Sequence, residues 1–470
     1  MNDSSLSNPH SPPPLVPASV VWPFILLTSL FAWWGLANNM TDTLLAAFKR
    51  IMSMSDSKTA LIQVVCYFGG YGLAAIPAAI FIKKFSYKSG VLLGLGLYSI
   101  GAILFFPAQL TYQVAPTFTY FFFLAAIWIL FSGLSVLETA ANPYIIAMGP
   151  EETGTRRLNF AQSFNPMGSI IGVIVSQMFI LSGLNRATEA ERAALPPAEL
   201  EAMQYGELSA VTTTYVVVGL ILVATWILIA VTKMPKAQDT DNRVDFIPTL
   251  RRLLSNGHYV WGVLAQFFYV GAQIGVWSFT IRYVMKDLGL EKMTFPPGTT
   301  SESVAAGYYV AALVLFVISR FVCTALMRFI TPGHLLALLA GIATILSAVV
   351  MFPLPLGIWK LHVPFTDSVV LLSSGVIALI GISGCMSLMF PTIFGLGCRG
   401  LGEDAKIASS GMIMAIVGAA VVTQLQGAIS DWTGNINLSY VVPLLCFVFI
   451  FYYGAFACRQ DLTAHEAATQ

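Results

Sequence analysis

The chain has 470 residues, of which 57% are hydrophobic and only 10% charged, with a formal net charge of +1. Soluble domains carry about 25% charged residues, so this composition leaves too little charge for a water-facing surface and points to a membrane protein. The near-neutral balance and the lack of any Lys/Arg-rich run exclude a nucleic-acid partner.

Residues 1–20 are rich in Ser and Pro and are expected to form a disordered tail. They hold no Lys or Arg, which a secretory signal needs ahead of its apolar core, so the first apolar segment is expected to remain as a span. A span requires about 20 apolar residues with few charges. Stretches between ionised side chains meet that length at 21–47, 59–82, 88–109, 117–148, 158–183, 209–233, 258–284, 304–328, 333–353, 368–396, 407–429 and 437–457. The sequence therefore predicts an all-α integral membrane protein with twelve transmembrane helices.

Lys and Arg concentrate in alternate loops, at Lys83, Lys84, Lys88, Arg156, Arg157, Lys233, Lys236, Arg251, Arg252, Arg399 and Lys406. The positive-inside rule then puts both termini in the cytoplasm, including the tail 458–470, and the acidic stretch 186–207 outside. It also makes 234–257 a basic cytoplasmic linker between a six-helix half at 21–233 and another at 258–457. The halves echo each other: 83–95 matches 327–339, and Asn142–Gly149 matches Phe390–Gly397, at offsets of 244 and 248. A parallel six-plus-six repeat is a transporter architecture.

The six cysteines lie scattered in or beside apolar runs without a CxxC, and the five histidines fall outside the long apolar runs, so neither implies a metal site. The GLGCRG stretch at Gly395–Gly400 ends a span and joins no strand to a helix, which excludes dinucleotide binding. No GxxxxGK[ST] run is present, so an ion or solute gradient must drive any transport. Glycines 69, 70, 72, 168 and 172 are expected to permit close helix approach.

Two acidic residues, Asp42 and Glu138, lie within spans. An ionisable group there costs about 2.5–3.5 kcal/mol or more, and such a carboxylate can take and release a proton as water access alternates. The structural alternative for Glu138 is an ion pair with a basic residue of another span, such as Arg320. For Asp42 it is hydration at the outer end, since Lys49 follows about 10 Å along the helix. Amides and aromatics recur near these carboxylates at helical spacing: Trp34, Asn38 and Asn39; Asn142; Gln162 and Asn165; Gln266, Tyr269, Gln273 and Trp277. Buried amides need partners, and a sugar offers hydroxyls together with C–H faces that stack on Trp or Tyr. The same amides could instead bond between helices. Pro143 is expected to free the Thr139 carbonyl, which a cavity or neighbour must then satisfy.

Trp34-Gly35 through Asn38–Leu45, Leu137–Gly172 (LETAANPYIIAMGPEETGTRRLNFAQSFNPMGSIIG), Ala265–Tyr283 and FPTIFGLG closely resemble the fucose-galactose-glucose:proton symporter family of the major facilitator superfamily. The likeness runs from about residue 22 to 457. The resemblance implies an inner-membrane, alternating-access symporter, a proton as the coupling ion and no cofactor. In that family the acids of the NNxxD and LETAANP motifs serve proton coupling and sugar transport; these are Asp42 and Glu138 here. The amides of AQxFN, linked to the sugar cavity, are Gln162 and Asn165. The expected substrate is L-fucose or a close aldohexose, carried by a monomer. A glucose/galactose symporter, an uncoupled facilitator and, in another class, a membrane sugar sensor are the rival readings. The sequence departs from the family pattern at Thr41, Pro166 and Ile274-Gly275-Val276. No nucleophile–base–His set lies in the spans, which argues against an enzyme.

Overall fold

The computed structural model describes residues 14–51, 62, 64–112, 115–180, 183–185, 191–192, 194–235, 245–293, 300–362 and 369–457. Twelve helices among them are long and apolar enough to cross a bilayer. The first half holds α1 (Val21–Ile51), α2 (Val65–Lys84), α3 (Tyr87–Leu110), α4 (Pro116–Ala147), α5 (Glu151–Ile180) and α6 (Pro197–Val231). A linker helix, Phe246–Ser255, precedes α7 (Gly257–Asp287), α8 (Ser301–Leu326), α9 (Pro332–Met351), α10 (Ser374–Gly397), α11 (Gly402–Thr433) and α12 (Leu438–Ala457).

Local chemistry sets the helix ends. Pro116, Pro197 and Pro332 occupy first-turn positions, where a missing N–H costs nothing. Ser86, Asn256 and Ser373 accept from backbone N–H groups of the first turns of α3, α7 and α10. At the other end, Gly434 adopts φ 60° and closes α11. Large apolar side chains such as Ile25, Leu73, Phe118, Met178, Ile345 and Leu445 remain exposed on the outer faces, where hydrocarbon rather than water is the compatible neighbour.

Glycine spacing places α1 against α5. A Cβ on Gly35 would lie 1.9 Å from the Asn165 carbonyl oxygen, and one on Gly168 would lie 1.9 Å from that of Ala32. Any side chain at either position would force the helices apart.

Three differences from the sequence-based expectations have physical causes. Residues 1–13 lie outside the described residues, but the rest of the tail expected to be disordered is ordered: Ala18–Val20 forms a short 3-10 turn, and the Leu15 carbonyl accepts a hydrogen bond from Arg157 at 3.0 Å. The fully buried Arg157 demands acceptors and finds further ones at Ile145, Ile146 and Pro150, where α4 ends. Second, α6 begins at Pro197 instead of residue 209, and its buried Glu207 pairs with Arg192 and accepts from the Asn185 N–H. That pairing lets a carboxylate sit inside the helix bundle. Third, the span expected from 368 starts at Ser374, because Val369–Leu372 pairs antiparallel with Trp359–His362 as a hairpin, the only strands among the described residues.

Candidate functional site

A cavity of about 230 Å³ lies between the halves. The bundle has a tail end, which carries the α2–α3 and α10–α11 turns, and a far end opposite to it. The first half contributes Trp34, Asn39, Tyr71, Glu138, Gln162, Asn165 and Ser169 to the cavity wall. The second contributes Tyr269, Gln273, Trp277, Tyr309, Phe316, Arg320 and Phe390.

Glu138, 1% exposed, sits on α4 with one carboxylate oxygen accepting from the Tyr71 hydroxyl at 2.7 Å. Its other oxygen has no hydrogen-bond partner among the described residues. Tyr71 comes from a π-helical stretch, Val65–Leu73, which rotates the ring inward; such wide turns recur at functional sites. Sequence reasoning misses Tyr71. Its signal is a hydroxyl set among Gly69, Gly70 and Gly72, where small residues let α2 approach α4: a Cβ on Gly70 would lie 2.6 Å from that of Phe131.

The ion pair considered for Glu138 is not formed. Arg320, 3% exposed, lies over the Phe316 ring at 4.8 Å from its centre and donates to the main-chain oxygens of Ser387 and, at 2.9 Å, Gln162. The Gln162 side-chain amide donates to the Asn142 side chain at 2.8 Å. Asn142 is fully buried and does not line the cavity; it stands behind Gln162. Gln266 is likewise fully buried and away from the wall. Trp34 stacks on Phe31 with ring centres 5.4 Å apart. Trp277 meets Phe316 edge-on at 5.2 Å, and its indole N–H donates to Ser383 at 3.2 Å. Asn39, Asn165, Tyr269 and Gln273 all reach the cavity. The side chains of Asn38 and Asp42 lie outside the described residues, although both positions belong to α1.

On its tail side the cavity is closed by contacts between the halves. Ser409 of α11 donates to the Thr139 carbonyl at 3.1 Å, which is the oxygen freed by Pro143. Asn159 donates to Thr392 at 3.1 Å, Arg156 to the Thr324 carbonyl at 3.3 Å, and Lys83 pairs with Glu403 at 3.3 Å. The Gly400 N–H donates to Glu151 at 3.2 Å. Gly395 fits against Thr155 with room for no larger residue, since a Cβ there would lie 2.7 Å from the threonine oxygen. The five described cysteines are buried, as small apolar fillers would be, and Cys66 reaches the cavity wall. Cys458 lies outside the described residues.

Residues 24–403 match the family model of the Major Facilitator Superfamily. The chain belongs to the major facilitator superfamily. It is 39% identical over 447 residues to the L-fucose-proton symporter of Haemophilus influenzae, covering 92% of this chain and 95% of that one. Identity to the Escherichia coli L-fucose-proton symporter is also 39%, over 443 residues and 93% of each chain. Among solved structures, the superfamily transporter FucP in its outward conformation superposes with a TM-score of 0.80 at 38% identity, covering 93% of this chain and 99% of that one. With these matches the twelve-helix fold of two six-helix halves is that of the superfamily.

Proposed function

We propose that this protein is a proton-coupled symporter that imports L-fucose across the bacterial inner membrane by alternating access. The observation that carries the reading is Glu138: a buried carboxylate, one of whose oxygens has no partner among the described residues, at a cavity shared by two halves and walled by amides and aromatic rings. Likeness to the L-fucose-proton symporters of two bacteria supports the choice of sugar and of coupling ion. The distribution of Lys and Arg supports a tail end in the cytoplasm, with both termini there, and a cavity served from outside.

On this reading, sugar enters from the far end. Trp34, Tyr269 and Trp277 offer ring faces to its C–H surface, while Asn38, Asn39, Gln162, Asn165 and Gln273 meet its hydroxyls. Asn142 serves indirectly by fixing the Gln162 amide. Glu138 takes a proton in the outward state and gives it up when water reaches it from the cytoplasm; Asp42 is the second coupling carboxylate. Protonation removes the cost of a buried negative charge and so favours closure of the cavity around the sugar. The contacts on the tail side then separate and release sugar and proton together. A monomer suffices, no metal or organic cofactor takes part, and no chemical change of the sugar is involved.

The test is external pH in a lightly buffered, de-energised suspension of cells expressing the protein, after separate additions of L-fucose, D-galactose and D-glucose. Alkalinisation with L-fucose alone is the expected result. Alkalinisation with only another hexose would replace the sugar, and labelled-sugar exchange without any pH change would make the protein a facilitator.

A further inference from the structure

Prolines interrupt both halves next to the cavity. A proline lacks the N–H that would bond the carbonyl four residues earlier. Pro166 in α5 therefore leaves Gln162 unsatisfied, and Pro391 in α10 does the same for Ser387. Helical bonding breaks at Ser163 in the first case and at Ser387–Leu388 in the second. These two carbonyls are the ones Arg320 occupies, one in each half.

We propose that Arg320 is a positioning residue for transport: its guanidinium straps the α5 carbonyl vacated by Pro166 to the α10 carbonyl vacated by Pro391, and so holds the halves in the state with the tail side closed. Three features single it out. The side chain is 3% exposed, and its described acceptors are main-chain oxygens rather than a carboxylate, so its charge is spent on the helix breaks. A rigid planar fork holds two carbonyls in one fixed relation, which the freely rotating ammonium of a lysine does less well. The bond to Gln162 also crosses from α8 to α5, so it must break if the halves part on the tail side. Because the Gln162 side chain lines the cavity, the strap connects the position of a cavity amide to the relation between the halves.

The inference rests on the alternating-access reading; the sugar-dependent pH assay of wild type tests that reading, whereas the accessibility of position 169 tests the strap. Ser169, half-buried on the cavity wall, is replaced by cysteine in a chain whose own cysteines are serine or alanine, and its alkylation by a membrane-impermeant maleimide is timed from each side of the membrane. With Arg320 present, labelling is expected from the side that the cavity faces. R320M should slow that labelling about tenfold, the effect of losing one charge-assisted hydrogen bond. R320K should restore only part of it. P166A, which returns an N–H to compete for the Gln162 carbonyl, should slow labelling in the same direction by about threefold, a fraction of the same bond. The double variant R320M/P166A should match R320M within about twofold, because both changes act on one interaction. Unchanged labelling in an R320M protein of wild-type abundance and monodispersity would overturn the strap, as would full restoration by R320K or multiplying effects in the double variant. Should R320M fail to accumulate, P166A decides: wild-type labelling refutes the strap and slowed labelling supports it.

Discussion

The two walls of the cavity differ in kind. Both halves present aromatic rings, such as Trp34, Tyr71 and Phe131 on the first and Tyr269, Trp277 and Phe316 on the second, but the first adds Glu138, Asn39, Gln162, Asn165 and Ser169, whereas the second adds Gln273 and Arg320. Ring faces come from both walls, whereas the carboxylate and most of the amides come from the first. The contrast teaches that a repeat can retain its helix plan while its halves divide the chemistry. At the offset that aligns Asn142 with Phe390, the counterpart of Glu138 is Met386, so only the first half carries an acid at this position.

The comparison breaks most sharply at the carboxylate. E138Q should abolish uphill accumulation of sugar while labelled-sugar exchange persists, since exchange needs no net proton release; uphill uptake by that variant would remove the proton from this wall. A smaller change is expected opposite. W277A should raise the half-saturating sugar concentration about tenfold with coupling intact, and W277F, which retains a ring but loses the bond to Ser383, about threefold. Loss of coupling in W277A would mean that the walls do not divide the work in this way.

The smallest effect concerns the seam between the walls. S409A leaves the Thr139 carbonyl without its partner and should lower stability by about 1–2 kcal/mol, read as a drop in thermal midpoint in detergent, with little change in affinity. P143A should compensate by restoring the helical N–H. No compensation would show that Ser409 acts otherwise than as a substitute donor.

Much of the fold was legible because lipid imposes length and charge rules on every span. The Thr139 carbonyl illustrates how far such logic reaches: Pro143 announces the need for a donor, yet only the three-dimensional arrangement names Ser409, 270 residues away. Asn142 marks the limit. A step of four turns the helix about 40° beyond a full revolution and moves one turn along it, so Asn142 falls behind Gln162 instead of beside Glu138. Glu207 misled for a different reason. Counting charges treats every acid as a boundary, and nothing local to residues 197–208 reveals that Arg192 folds back to neutralise one. Tyr71 escaped because a π-turn shifts the phase on which face assignments depend.

The clasp of Arg157 on Leu15 has a consequence for motion. Residues just ahead of α1 are tied to the end of α4 through a guanidinium that also holds Ile145 and Pro150, so this short stretch travels with the first half as one rigid piece. A probe fixed near residue 14 would thus act as a pointer mounted on that half, and a second on the linker helix, whose Arg252 grips Asp404 of α11 at 2.8 Å, would be mounted on the other. The distance between the two pointers would record each rocking cycle from outside the moving parts.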